Sequence, residues 1–240
     1  MSILKEIKSK ADKGEKMLGI LIDPDCFNSL QELDTFILAL KQNQPDYLFI
    51  GGSLINNDLF EKTILKLKKD LNIPLIIFPG NNQQISKNAD GILLLSLISG
   101  RNPDYLIGQH VNTSFELKRS QLEILPTGYI LINCGKPTSA QYMSNTSPIP
   151  YSKNGIASAT VLAGEQLGLQ LFYLDGGSGA EKPISEAMIS AVRKSISAPI
   201  IIGGGLKNKT DINNAWQAGA DIVIIGTAFE NNPSLISDLR

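Results

Sequence analysis

The chain has 240 residues, 42% hydrophobic and 19% charged, the balance of an ordinary globule that buries its own core without staples. Its formal net charge of -1 gives no global pull toward nucleic acid or anionic lipid. No apolar run reaches the roughly 18 residues of a membrane span, and the opening MSILKEIKSKADKGEK lacks a signal-peptide core, so the expected location is the cytoplasm.

In chain order, apolar runs of strand length fall at 18–23, 47–52, 74–78, 91–95, 128–133, 171–175, 199–205 and 221–226. Helical patterns separate them at 29–42, 58–71, 103–122, 155–168, 183–196 and 209–219. The segment 81–90, NNQQISKNAD, is short and polar, so that crossover reads as mostly loop. A Pro-, Ser- and Asn-rich stretch, 136–154, reads as a long loop. The strands are apolar on both faces, as expected of a parallel sheet covered on both sides. Eight of them alternating with helices predict an α/β fold, a (β/α)8 TIM barrel in one domain spanning 1–240. A doubly wound open sheet is the alternative. The two cysteines, Cys26 and Cys134, lie far apart and outside any C-x-x-C spacing, which favours a reduced protein.

In such a barrel the functional groups sit at the carboxyl ends of the strands. Those ends read IDPD with Asp23 and Asp25, GGS with Ser53, YLDGGSGA (173–180), GGGL (203–206) and GTAFE (226–230). The last three would lie side by side. Gly203, Gly204 and Gly205, with Gly226 and Thr227 opposite and Ser178 and Gly179 closing the third side, can bring bare backbone N–H groups to a phosphate. The bland reading is three tight turns that bind nothing. Asp23 and Ser53 end neighbouring strands, so a carboxylate and a hydroxyl could share a hard cation such as Mg2+. From position alone, helix capping is the stronger reading of Asp23, and the same capping role is open to Ser53. His110 and Trp216 read as packing residues, and Lys62, Lys66, Lys68 and Lys69 as a solvated helix face.

The ordered set LIDPD, FIGGS, NPDYLIGQHV, EILPTGYILIN, YLDGGSGA, IIIGGGL and ADIVIIGTAFE resembles the geranylgeranylglyceryl phosphate synthase family, which includes the bacterial heptaprenylglyceryl phosphate synthases. The resemblance runs from about residue 17 to 232 and is to the second of the family's two groups. It implies a modified barrel whose third helix is replaced by other structure. It also implies Mg2+-dependent transfer of a prenyl group, geranylgeranyl first among the donors, from prenyl diphosphate to the 3-hydroxyl of sn-glycerol 1-phosphate.

Carried over by position, the resemblance gives Asp23 and Ser53 to the metal. Tyr173, Leu174, Asp175, Gly176, Gly177, Ser178 and Gly179 go to glycerol phosphate, with Gly203, Gly204, Gly205, Gly226 and Thr227 as further contacts. Asp175 is the expected proton acceptor, where the family usually has Glu. Thr227 stands where it usually has Asn. Tyr105, Leu106 and Tyr142 are the expected lining of a prenyl groove. A homo-oligomer, hexamer or dimer, and peripheral contact with a membrane are implied too. The rivals are another phosphate-binding barrel enzyme of isomerase or lyase type, and a barrel that binds a phosphorylated metabolite without catalysis.

Overall fold

A computed structural model describes residues 2–27, 29–54 and 59–239. Its barrel strands are β1 (Met17–Ile22), β2 (Tyr47–Ile50), β3 (Leu75–Ile77), β4 (Gly91–Leu97), β5 (Glu123–Asn133), β7 (Leu171–Asp175), β8 (Ile200–Gly203) and β9 (Ile222–Ile225). All neighbours pair in parallel, β1 between β2 and β9. The ring closes where β4 meets β5, in a register running from Gly91 opposite Glu123 to Leu97 opposite Tyr129. That closure excludes the open sheet. A two-residue strand, β6 (Ile149–Pro150), hangs on the end of β5 outside the ring.

Side chains alternate across each strand, so one set fills the barrel and the other meets the helices. Met17, Tyr47, Phe49, Ile76, Leu125 and Ile201 belong to the inner cluster. Leu18, Leu48, Ile50, Leu75, Ile200 and Ile202 belong to the outer one. Around the outside run α2 (Glu32–Gln42), α3 (Leu59–Asp70), α4 (Gln109–Ser120), α6 (Asn154–Gln166), α7 (Glu186–Arg193) and α8 (Lys209–Ala218). Residues 78–90, between β3 and β4, form no helix. The buried Gln84 holds that crossover in place. Its amide donates to the Gly52 carbonyl at 2.9 Å and its oxygen accepts the Gly80 N–H at 3.0 Å.

Several elements differ from the sequence reading. The helix expected at 103–122 opens with a π-helical turn, Asp104–Gly108, and stops at Gln121, whose φ of 60° ends the helix. The strand expected at 128–133 begins at Glu123, because Pro126, a residue that argues against a strand, is accommodated inside it. The loop 136–154 contains α5 (Ser139–Ser144), capped by the Thr138 hydroxyl. GTAFE continues into α9 (Thr227–Asn231). Asp58, the first residue of the second expected helix, lies outside the described residues.

The charged opening hides an amphipathic helix, α1 (Ile3–Asp12). Its Ile3 and Ile7 enter the inner cluster and close the amino-terminal end of the barrel, while Lys10 pairs with Glu6 and Asp46, Lys8 donates to Gln170, and Lys5 is exposed. Glu123, the first residue of β5, anchors it. The carboxylate accepts from the Ser2 hydroxyl at 2.6 Å and from the N–H groups of Ile3 and Leu4 at 2.7 and 2.9 Å. Burial alone would raise the Glu123 pKa, but these donors outweigh it and the pKa falls below its ordinary 4.5. A lowered folded pKa stabilises the protein above the ordinary value, and that contribution is lost as pH falls through the folded one. Glu123→Ala should therefore cost about 1–2 kcal/mol at neutral pH. Thermal melts should show a drop of roughly 3–8 °C that narrows as the pH is lowered below 4.5.

Candidate active site

Strand β7 sets the site. Leu171 and Tyr173 point into the barrel, whereas Phe172 and Leu174 pack outward against the helices. The same alternation turns Asp175, at the strand's end, inward to the wall of a cavity of about 1180 Å³. Only 8% of Asp175 is exposed. Its carboxylate accepts the Tyr129 hydroxyl at 2.5 Å on one oxygen and the Gly177 N–H at 2.7 Å on the other. Burial pushes its pKa up, and the two donors pull against that rise without cancelling it. Tyr129 lies opposite Tyr173 in the β5–β7 register. Phe78 completes an aromatic floor, stacked on Tyr173 with ring centres 5.0 Å apart and edge-on to Tyr129 at 5.8 Å.

The glycine-rich ends converge beside Asp175. The Ser178 and Thr227 hydroxyls lie 3.0 Å apart and join the loops after β7 and β9. Gly204 and Gly205 have φ of 85° and 74°, open to glycine at no cost. A side chain on Gly204 would run into the Gly177 backbone at 2.6 Å, and one on Gly203 into the Tyr173 hydroxyl at 2.1 Å. Two N–H groups of the turn are used internally, Gly176 donating to the Gly203 carbonyl and Gly177 to Asp175. Those of Ser178, Gly179, Gly204 and Gly205 donate to no acceptor among the described residues. They form a cup of neutral donors suited to an anion.

From the cup the cavity continues into an apolar groove. Leu93, Leu95 and Leu97 line it from the inner face of β4, Ile92 and Leu94 from the outer face. Ile85 of the helix-free crossover and Thr113 and Leu117 of α4 complete the wall. The groove therefore passes over the barrel's rim and down between β4 and α4. Tyr105 lines it, its hydroxyl donating to the Met143 carbonyl at 3.1 Å, and Tyr142 stands exposed at the mouth.

Asp23 and Ser53 line the same cavity. Asp23 also caps the short turn Pro24–Cys26 by accepting the Asp25 N–H at 3.0 Å, so the capping role and a place on the wall coexist. Its backbone N–H donates to Glu230 at 3.1 Å. Burial raises the Asp23 pKa, with Asp25 nearby adding to the rise. Gly52 leaves the carboxylate room, since a Cβ there would lie 2.6 Å from Oδ2. A hard-oxygen pair with one half-buried carboxylate fits Mg2+, which takes few protein ligands.

Of the residues singled out from sequence, Asp23, Ser53, Tyr173, Asp175, Gly177, Ser178, Gly179, Gly204, Gly205, Gly226 and Thr227 share this cavity. Leu174, Gly176 and Gly203 do not line it. Leu174 belongs to the outer core, Gly176 sits against the Cys134 sulfur, and Gly203 makes room for Tyr173. Leu106 stands off the wall, its carbonyl accepting from the Ser96 hydroxyl at 3.3 Å. His110 reaches the groove, but its Nε2 donates to the Leu95 carbonyl at 2.8 Å. Trp216 packs on the outer core. Burial raises the Cys134 thiol to about 12, and partial desolvation of the otherwise exposed Cys26, with the Glu230 and Asp23 carboxylates beside it, raises its thiol as far, so neither environment favours a thiolate. Tyr129 and Glu230 were not singled out. A tyrosine in an apolar strand looks like core, and only the cross-strand register shows what its hydroxyl faces.

A neutral phosphate-type cup, a buried carboxylate and an apolar groove in one (β/α)8 barrel define a barrel that handles an amphiphilic, anionic ligand. The family comparison is specific: residues 13–239 match the PcrB family, and the chain belongs to it. A geranylgeranylglyceryl phosphate synthase of Spirosoma linguale is 45% identical over 242 residues, covering 100% of this chain and 94% of that one. One of Pyrococcus furiosus is 35% identical, covering 98% and 94%. The crystal structure of (S)-3-O-geranylgeranylglyceryl phosphate synthase from Thermoplasma acidophilum with its substrate sn-glycerol-1-phosphate superposes with a TM-score of 0.92 at 27% identity, covering 100% of this chain and 96% of that one. A tryptophan synthase alpha-subunit of Pyrococcus furiosus shares the fold alone, at TM-score 0.57 and 11% identity.

The Tyr129 contact has a measurable consequence. A raised folded pKa means that protonated Asp175 stabilises the fold. That contribution is fully present below the ordinary 3.8 and lost as pH rises through the folded value. Removing the Tyr129 donor leaves burial less opposed, so Tyr129→Phe should move the Asp175 pKa further up. Difference infrared titration of the carboxyl stretch, with Asp175→Asn to assign the band, reads this directly. An unchanged band position on the pH axis would mean the hydroxyl does not hold the carboxylate.

Proposed function

We propose that this protein is a prenyltransferase. It joins the 3-hydroxyl of sn-glycerol 1-phosphate to a long prenyl group, geranylgeranyl first, and releases diphosphate. One observation carries the reading: the neutral N–H cup and the apolar groove meet at Asp175 in a single cavity. An isomerase or lyase acting on a small phosphorylated metabolite would need the cup but not the groove. The similarity to named synthases, and the acceptor bound in one of them, support the same assignment.

The cup holds the acceptor's phosphate, which places the 3-hydroxyl beside Asp175. Such positioning is worth several kcal/mol. The carboxylate takes the hydroxyl proton as the oxygen bonds to the first prenyl carbon. The carbon–oxygen bond to diphosphate breaks, and its electron pair leaves with diphosphate. A carboxylate with a raised pKa is the better proton acceptor. Asp175 is one methylene shorter than the Glu usual in the family. Tyr129 and Gly177 fix both of its oxygens, so the hydroxyl must approach a carboxylate that cannot swing out. Asp23 and Ser53 would hold Mg2+, whose charge would offset that of the departing diphosphate. The exposed Tyr142 and Met143 at the mouth offer a lipid donor an apolar approach, in keeping with peripheral membrane contact.

The deciding experiment incubates purified protein with sn-glycerol 1-phosphate, radiolabelled geranylgeranyl diphosphate and Mg2+, with an EDTA arm and sn-glycerol 3-phosphate in parallel. Extractable prenylglyceryl phosphate from the 1-phosphate is expected, and EDTA should abolish it. Asp175→Asn should lower kcat at least about 100-fold with the glycerol phosphate KM nearly unchanged. Product formation independent of Mg2+ would remove the metal from the reading. Absence of product with every donor would remove the transferase itself.

The groove makes a separate prediction. Thr113 is buried on the groove-facing side of α4. Thr113→Trp should fill the groove's lower part and displace two or more methylenes of the tail, at about 0.8 kcal/mol each. The KM for geranylgeranyl diphosphate should rise about tenfold or more, while that for the shorter farnesyl donor changes less. Equal effects on both donors would place the tail elsewhere.

A further inference from the structure

The cavity has an unbalanced charge. Its wall carries the carboxylates of Asp23, Asp175, Glu181 and Glu230 and, among the described residues, one cation, Lys207. The cup's own donors are neutral backbone groups. A phosphate dianion entering it meets net negative charge, and a buried carboxylate stands directly beside its seat. Backbone dipoles and that single wall cation must then overcome the repulsion, unless a further cation stands at the rim.

The loop after β5 supplies one. It lies over the β7 turn residue by residue. A Cβ on Gly176 would lie 3.1 Å from the Cys134 sulfur, and one on Gly177 would lie 2.2 Å from the Thr138 methyl. On Gly179 a Cβ would lie 3.4 Å from the Lys136 Nζ. Bare glycines thus let the loop settle on the turn, and the settling sets the Lys136 ammonium against the cup's edge. Two other lysines near the turn are engaged. Lys182 stands 3.7 Å over the Tyr151 ring, and Lys207 donates to the Glu181 carbonyl at 3.3 Å. Lys136 is exposed and has no hydrogen-bond or ion-pair partner among the described residues.

We propose that Lys136 is a phosphate-binding residue of the acceptor site, the cation that closes the backbone cup over the phosphate of glycerol phosphate. The inference deepens the function proposed above and rests on its acceptor. Lys136 reaches the anion from the loop after β5, not from the glycine-rich ends. Its role is binding and orientation, with no part in proton transfer, which belongs to Asp175.

The test compares wild type, Lys136→Met, Lys136→Arg and Lys194→Met, the last removing an equal charge from an exposed site on the barrel's outer layer. Calorimetric titration with sn-glycerol 1-phosphate is run beside steady-state transfer kinetics, each at low and high salt. Lys136→Met should weaken binding and raise the acceptor KM about tenfold, equivalent to about 1.4 kcal/mol, with kcat within about twofold. The loss should shrink as salt screens the charge, and Lys136→Arg should recover most of the affinity. Lys194→Met should match wild type. Wild-type affinity in Lys136→Met, or an equal loss in Lys194→Met, would overturn the inference. Normal transfer with an unchanged KM in Lys136→Met would overturn it while leaving the transferase reading intact. Lys136-dependent binding without any prenyl transfer would support it and overturn that reading instead.

Discussion

The site depends on one buried carboxylate. Asp175 ends a strand whose other inward residues, Leu171 and Tyr173, belong to the barrel's interior. A charge there loses its water, and the cost would neutralise or expel it if nothing replaced the lost hydrogen bonds. Tyr129 and the Gly177 N–H replace two of them. The partners are of different kinds. Tyr129 comes from the neighbouring strand and is fixed by register. Gly177 comes from the turn that follows and is fixed by its φ of 88°. The acid therefore ties the barrel wall to the ligand loop, and the loop's shape follows from satisfying the acid.

That link changes what the glycines mean. A run such as GGSG reads as a phosphate cup, yet its members divide the work. Gly176 and Gly177 use their N–H groups inside the protein and admit Cys134 and Thr138 of the covering loop. Gly203 exists for the Tyr173 hydroxyl. Only Ser178, Gly179, Gly204 and Gly205 hold donors outward. One set packs the site and the other faces the ligand, and neither works without the first being bare.

How much of this the sequence disclosed follows from the length scale of each feature. Continuous apolar runs report burial on both faces, so β1 to β4 and β7 to β9 were legible within a residue or two. The polar segment 81–90 correctly reported a crossover without a helix. The cavity's glycines and Asp175 were legible because strand ends are read locally. Tyr129, Glu230 and Glu123 were not, because each acts across more than 40 residues of chain, on Asp175, Asp23 and the start of α1. The opening helix was missed for a related reason: its apolar stripe is two isoleucines wide, and only the open end of a barrel gives those two residues somewhere to go. Leu174 shows the opposite limit: it belongs to a contiguous motif, yet its side chain packs in the outer core because alternate residues of a strand face opposite ways.

The missing third helix is the feature that joins fold to substrate. In a regular barrel a helix would cover the outer face of β3 and β4, where Ile92 and Leu94 stand. Here a loop pinned by Gln84 runs past instead, and those side chains line a groove shared with Thr113 and Leu117. An apolar channel left open to water costs free energy in proportion to its area. On the function proposed above, a hydrocarbon tail laid in it would remove that cost, so a long donor would bind where a helix would otherwise have packed. The cup alone would suit many small phosphates. On that function, the gap in the helical layer is what would select a ligand with a tail.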